Sequence, residues 1–223
     1  EPVMAIIIER YPVTISMTIL SLFVAIMVGI PAGIIAAINQ GRLADWAAMM
    51  VALIVLSVPS FWLALNLIYL FGVKLRWLPI GGYVPLGEDP WEFLRHMILP
   101  CISLGLAYAA MIARITRTSM LEVLRMDYMR TAEAKGLSQR VVILSHGLKN
   151  AFIPVITVIG LGLGALLGGS AVTETVYNLP GVGRMIVEAV KRRDYFLVQG
   201  GLLAITATYL AINLLVDLFY VWI

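Results

Sequence analysis

Tyr128-Met129-Arg130-Thr131-Ala132-Glu133-Ala134-Lys135-Gly136-Leu137-Ser138 stands at the centre of a polar, basic block, Arg114–Lys149, in a chain that otherwise reads as almost continuous membrane. The run up to Lys135 has the periodicity of a helix, Gly136 supplies a stop, and Ser138 is a residue type that caps a second helix. Helices from Met120 to Lys135 and from Gln139 to Asn150 would therefore meet at Gly136. A helix pair presented between two membrane spans is a docking surface, so its partner decides what the chain does.

Around this block the composition is that of a bilayer protein. Of 223 residues, 61% are hydrophobic and only 13% charged, against about 25% charged in soluble domains. The net charge of +3 is too small and dispersed to imply nucleic acid, and a basic balance is ordinary at membrane faces. Cys101 is the only cysteine, so the chain forms no internal disulfide and no cysteine-based metal site. The start at Glu1 reads as a processed or incompletely covered chain.

Five apolar segments have the roughly 20 residues needed to cross a bilayer as a helix: Val13–Ile38, Trp46–Val73, Met97–Ile115, Ala151–Val172 and Phe196–Trp222. Each must be helical, because open backbone facing lipid leaves amides unpaired. The fold class is all-α, a polytopic transmembrane helix bundle forming one domain over residues 1–223. Its polar connections are Asn39–Asp45, about 74–96, about 116–149 and about 173–195. The 74–96 loop carries Pro79, Gly81, Gly82, Pro85, Gly87 and Pro90 and reads as irregular, with Trp77, Tyr83 and Trp91 suited to an interfacial belt. In 173–195, Asn178-Leu179-Pro180-Gly181 reads as a turn and Gly183–Val190 as a short helix. Basic residues divide evenly between the two sides, so charge alone does not orient the chain.

Several positions interrupt the apolar pattern. Kinks are expected at Pro31 and Pro59. Gly160, Gly164 and Gly168 recur every four residues on one helix face, the spacing that lets another helix approach. Thr14, Thr18 and Ser21 share a face of the first span. Ser57, Ser60 and Asn66 bring polarity to the second span, and Asn213 and Asp217 to the last; Ser57, Pro59 and Asn66 are candidates for the translocation path. Glu174, at the mouth of the fourth span, and Pro180, Gly181 and Gly183 beyond it are candidates for a path or gate. His96 and His146 stand apart from any carboxylate cluster, so no metal ligand set is expected. The chain shows no catalytic triad, P-loop or paired-carboxylate pattern and reads as non-catalytic. The Gly160-Leu-Gly-Leu-Gly run lies inside an apolar span with no strand before it, which excludes a nucleotide loop. The Thr131–Val142 segment superficially fits a DNA-binding helix-turn-helix, but a DNA reader needs its own packed core and a free basic face, whereas this segment is tethered at both ends to spans.

Taken together, Asp127-Tyr128-x-Arg130-Thr131-Ala132-x-Ala134-Lys135-Gly136-Leu137-Ser138 and His146-Gly147-Leu148-Lys149-Asn150-Ala151-x-Ile153-Pro154-Val155 closely resemble the inner-membrane permeases of ATP-binding-cassette importers, in their dipeptide/oligopeptide/nickel branch. Thr116-Arg117-x-Ser119-Met120, Gly164-x-Leu166-Leu167-Gly168-Gly169, Val172-Thr173-Glu174-Thr175-Val176, Pro180-Gly181-Val182-Gly183-Arg184 and Arg193-Asp194-Tyr195 extend the resemblance over essentially the whole chain. The wider importer family carries Glu-Ala-Ala where Arg130-Thr131-Ala132 stands here, a departure typical of this branch. The resemblance implies a type I importer permease fold, of which these are the last five of six spans, in a bacterial or archaeal inner membrane. It further implies that the 116–149 loop is cytoplasmic, with Tyr128, Arg130, Thr131, Ala132, Ala134, Lys135, Gly136, Leu137 and Ser138 docking on an ATPase subunit. The 74–96 and 173–195 loops would be external. The implied partners are a second homologous permease, two ATP-binding subunits that carry ATP and Mg, an extracytoplasmic substrate-binding protein and lipid; this chain itself would bind no cofactor. Peptides are the expected solute, with nickel chelates, glutathione, opines or oligosaccharides as alternatives. A secondary transporter is the reading outside this class; it would require repeats and mid-membrane ion sites.

Overall fold

The computed structural model describes residues 2–222; the side chains of Glu133, Arg140, Asp217 and 219–222 lie outside the description, so the Asn213–Asp217 face is not described in full. The described backbone is helical and contains no strand. Four helices are long and apolar enough to cross a bilayer without interruption, over Val3–Ile38, Pro90–Leu124, Val142–Val176 and Tyr195–Val216.

Helix α1 covers Val3–Ile38. It starts ten residues before the expected span because Met4–Ile8 continue the apolar run. The helix runs unbroken through Pro31, where a kink is expected. Gly29 and Gly33, on either side of that proline, lie against α4 so closely that a Cβ at Gly29 would meet the Ala109 carbonyl and Ile112, and one at Gly33 the Ala113 carbonyl and Thr116. Packing on both sides holds the helix through the lost backbone bond.

Pro59 has the opposite outcome. Helix α2 (Leu43–Ser57) stops, and α3 (Ser60–Leu67) begins after an extended Pro59 with φ −60° and ψ 135°. A residue preceding proline is driven out of the helical region, so the second expected span arrives as two helices rather than one. Helix α3 continues as a π-helical segment over Ile68–Lys74.

Helix α4, Pro90–Leu124, begins earlier than the expected Met97, with proline at its first position. Asp89 caps it, its Oδ1 accepting from the Trp91 and Glu92 amides at 2.9 and 3.1 Å. The helices α5 (Asp127–Ala134), α6 (Gln139–Val141), a π-helical turn (Val142–Leu148), α7 (Lys149–Val176), α8 (Val182–Arg192) and α9 (Tyr195–Trp222) complete the order.

Residues group into two compact units. The first comprises Glu1–Val24, Val58–Leu106 and Gly160–Ile223; the second comprises Ala25–Ser57 and Ala107–Ile159. In the first, Ile7, Val182 and Met185 form a core with Tyr11, Ile186, Leu197 and Ile205 against it. Cys101 is buried there, its Sγ 3.7 Å from the Met17 carbonyl. In the second, Ala25, Ala109, Ile112 and Val155 form a core flanked by Tyr108 and Phe152. Helix α9 exposes Phe196, Leu203, Leu210 and Leu214, a face suited to hydrocarbon.

Candidate functional site

The polar block folds as a hairpin of helices within the second unit. Helix α4 ends at Leu124, and Arg125 and Met126 turn the chain by bonding back to the Glu122 and Val123 carbonyls. The single long helix expected from Met120 to Lys135 is thus two, α4 and α5, split at that turn. Met129 and Ala132 of α5 are buried against Val142, with Val123 and Leu124 beneath them. These residues recur at the three-residue spacing of one helix face. On the opposite face Tyr128, Arg130, Thr131, Ala134, Lys135, Gly136, Leu137 and Ser138 are all exposed.

Gly136 has φ +76°, and among the described residues a Cβ there would meet nothing within 4 Å. Backbone conformation, not crowding, is what requires glycine. Ser138 occupies the N-cap position of α6 with extended backbone, but its hydroxyl makes no capping bond. Its carbonyl accepts the Val142 amide at 3.0 Å. The Arg130–Asp127 contact is 3.8 Å long and almost fully exposed, so it adds little. The outward face therefore combines positive charge with the half-exposed apolar side chains of Tyr128 and Leu137, suited to a protein partner.

A second constellation lies in the first unit. Glu174, near the end of α7, is fully buried. Its Oε1 accepts the Thr14 hydroxyl at 2.7 Å and its Oε2 the Arg184 amide at 2.8 Å, while Thr14 Oγ1 accepts the Val182 amide at 2.9 Å. Acceptors thus meet the first amides of α8, where a helix leaves N–H groups unpaired and a carboxylate is favoured. A Cβ on Gly181 would strike the Glu174 carboxylate, and one on Gly183 would strike Ala171. Tyr177 extends the knot: its hydroxyl donates to the Ala64 carbonyl at 3.3 Å and its carbonyl accepts the Gly82 amide at 3.1 Å.

Of the path and gate candidates, Glu174, Gly181 and Gly183 are buried together and Pro180 is half-buried beside them. Ser57 and Asn66 are exposed and bond only their own helices, at the Leu53 and Trp62 carbonyls, and Pro59 sits in the break. Nothing local in the sequence marks Thr14 as the partner of Glu174 or Tyr177 as the bridge to Ala64 and Gly82; the Thr14–Thr18–Ser21 face was the visible signal. In the glycine series, Gly160 lies against Val216 and Gly164 against Tyr209 of α9, whereas Gly168 has nothing within 4 Å. Among the described residues no three His, Cys, Asp or Glu side chains are grouped to hold a metal ion.

Residues 29–223 match the family described as the binding-protein-dependent transport system inner membrane component. The chain belongs to that family. Similar relatives include a probable peptide ABC transporter permease protein of Sinorhizobium fredii, 45% identical over 219 residues, which span 98% of this permease and 70% of the relative. A dipeptide transport system permease protein of Alkalihalophilus pseudofirmus is 44% identical over 243 residues, covering 100% of this chain and 73% of its own. A glutathione transport system permease protein of Escherichia coli K12 is 46% identical over 220 residues, covering 99% and 69%. Among solved structures, inward-facing conformations of the MetNI methionine ABC transporter superpose with a TM-score of 0.80 at 19% identity, over 98% of this chain and 96% of that one. An amino acid ABC transporter crystallised with histidines gives 0.69 at 15% identity, over 99% and 95%. The permease therefore shares the helical fold of ABC importer permeases and is a multi-pass membrane component of a binding-protein-dependent transport system.

Proposed function

We propose that this permease forms the path for di- or oligopeptides in an ATP-driven importer of a bacterial or archaeal inner membrane. It works with a second homologous permease, two ATP-binding subunits that hold ATP and Mg, and an extracytoplasmic substrate-binding protein. The α5–Gly136–α6 hairpin carries this reading. A rigid corner with a buried apolar inner face and an exposed basic and aromatic outer face is the part an ATPase subunit would grip. Closure of the ATPase pair would displace the two hairpins and switch the path between inward-open and outward-open states. Such coupling requires contacts that differ between the states, which a short hairpin fastened to two spans supplies. Peptide is favoured because the similar relatives include proteins named for peptide and dipeptide transport.

Proteoliposomes containing the full complex test the reading. Uptake of labelled dialanine that requires ATP and the binding protein is the expected result. Uptake without any ATPase subunit would overturn it. The glutathione relative supports a second reading, since glutathione is itself a modified tripeptide; glutathione uptake with no competition from dialanine would select it.

A further inference from the structure

The Thr116-Arg117-x-Ser119-Met120 motif lies near the end of α4, apart from the exposed face of the hairpin. Its side chains gather the surrounding elements of the second unit. Thr116 is fully buried and fills the space left by Gly33 of α1. Met120 is fully buried, and a Cβ on Gly147 would lie 3.5 Å from its Cε and equally far from the Cε of Met129 in the hairpin. Arg117 reaches in a third direction. Its Nε and Nη2 donate to Asp45 Oδ1 and Oδ2 at 2.6 and 2.7 Å, and Oδ2 also accepts the Gly41 amide at 3.0 Å.

The first two contacts are steric and the third is a two-pronged ionic bond to a carboxylate that is only 4% exposed. Capping the turn before α2 requires only the Gly41 bond, which Asn or Ser at position 45 would supply. The guanidinium fork adds direction: it fixes the carboxylate plane and hence the register of the Asn39–Arg42 turn against α4. The pair borders a cavity of about 300 Å³ lined also by Gln40, Trp46 and Met49, so the site was not closed by apolar packing alone. An arginine brought to a buried aspartate beside open volume sets geometry more than it adds stability, because apolar replacements of such pairs often fold as well.

We propose that Arg117 is a positioning residue for the ATP-driven step. Through Asp45 it binds the Asn39–Arg42 turn to the α4 turn that supports the hairpin, so the parts of α1, α2 and α4 that lie in the second unit are displaced with the hairpin as one body. This rests on the importer reading above. Displacement of the hairpin in a chain without the ionic bond would leave the α2 end behind, and the signal between the binding protein and the ATPase would fade.

The test uses the full-length permease in its complete complex in proteoliposomes, with the binding protein as purified. ATP hydrolysis is measured with and without that protein, alongside the amount and melting temperature of assembled complex. Wild type is expected to be stimulated about tenfold, within the range of ordinary two-site coupling, and R117M less than about twofold per assembled complex, with a lowered melting temperature because Asp45 loses its buried partner. R117K, which keeps the charge but not the fork, should fall between them. D45N, which retains an acceptor for Gly41, should behave as R117M and serves where that variant fails to assemble. Stimulation at the wild-type ratio in R117M or D45N overturns the role of Arg117. So does loss of hydrolysis only in proportion to lost complex, which marks a purely structural pair. A wild-type complex that hydrolyses no ATP sinks the importer reading itself, a result distinct from either.

Discussion

At the scale of single residues, the chain depends on a few positions whose demands differ in kind. Gly136 is needed for its φ of +76° alone. Alanine there should cost about 1–2 kcal/mol of left-handed strain, valine more, and proline is incompatible because its ring fixes φ near −65°. Gly136→Val and Gly136→Pro should still insert, yet lose dialanine uptake while ATP hydrolysis continues; uptake at wild-type level and abundance would refute this. Glu174 is needed for its acceptors. Glu174→Ala leaves the Thr14 hydroxyl and Arg184 amide unpaired and should destabilise by about 3 kcal/mol, read as a lower melting temperature in detergent. Glu174→Gln keeps the bond from Thr14 but turns an N–H toward the Arg184 amide, so its loss should be intermediate. The first of these demands was legible from Gly136 between two helical patterns. The second was not: Glu174 and Thr14 are 160 residues apart, and local pattern shows each as polar without saying that one answers the other.

At the scale of elements, proline and glycine meanings were set by neighbours. Pro31 lies in unbroken helix because Gly29 and Gly33 clamp α1 on α4, whereas Pro59, with no such clamp described, separates α2 from α3. A sequence window sees the same residue in both places. The four-residue glycine series was legible as a packing face, but not that its third member meets no neighbour among the described residues. Gly164→Leu should collide with Tyr209 and destabilise by about 1–3 kcal/mol, partly relieved by Tyr209→Ala, whereas Gly168→Ala should leave the melting temperature of the isolated permease unchanged. Equal losses at both glycines would contradict the packing described. The hairpin was read as two helices around Gly136; the extra turn at Arg125–Met126 was missed because helical periodicity runs through it.

At the scale of the whole molecule, composition and span length were enough to read an all-helical membrane protein, since lipid permits few alternatives. Which face of the bilayer holds the hairpin was not legible, because the basic residues balance. The proposed topology predicts that a cysteine at Ser138 crosslinks to an ATPase subunit in inverted vesicles, and that one at Glu88 in the opposite loop does not. The reverse pattern would invert the chain. The two loops differ in build as well. The hairpin rests on a small apolar patch, whereas the Glu174–Tyr177 knot is held by bonds reaching residues 14, 64 and 82. Amide exchange should therefore be faster in α5 than in the first turn of α8.

Cys101, buried at 2% exposure against the first helix, makes residues 1–223 a ready background for thiol chemistry. A maleimide that cannot cross lipid should leave the unaltered chain unmarked, so any label on an introduced cysteine reports that position alone. Sidedness, spin-label distances and dye pairs within these residues can then be measured without first replacing Cys101.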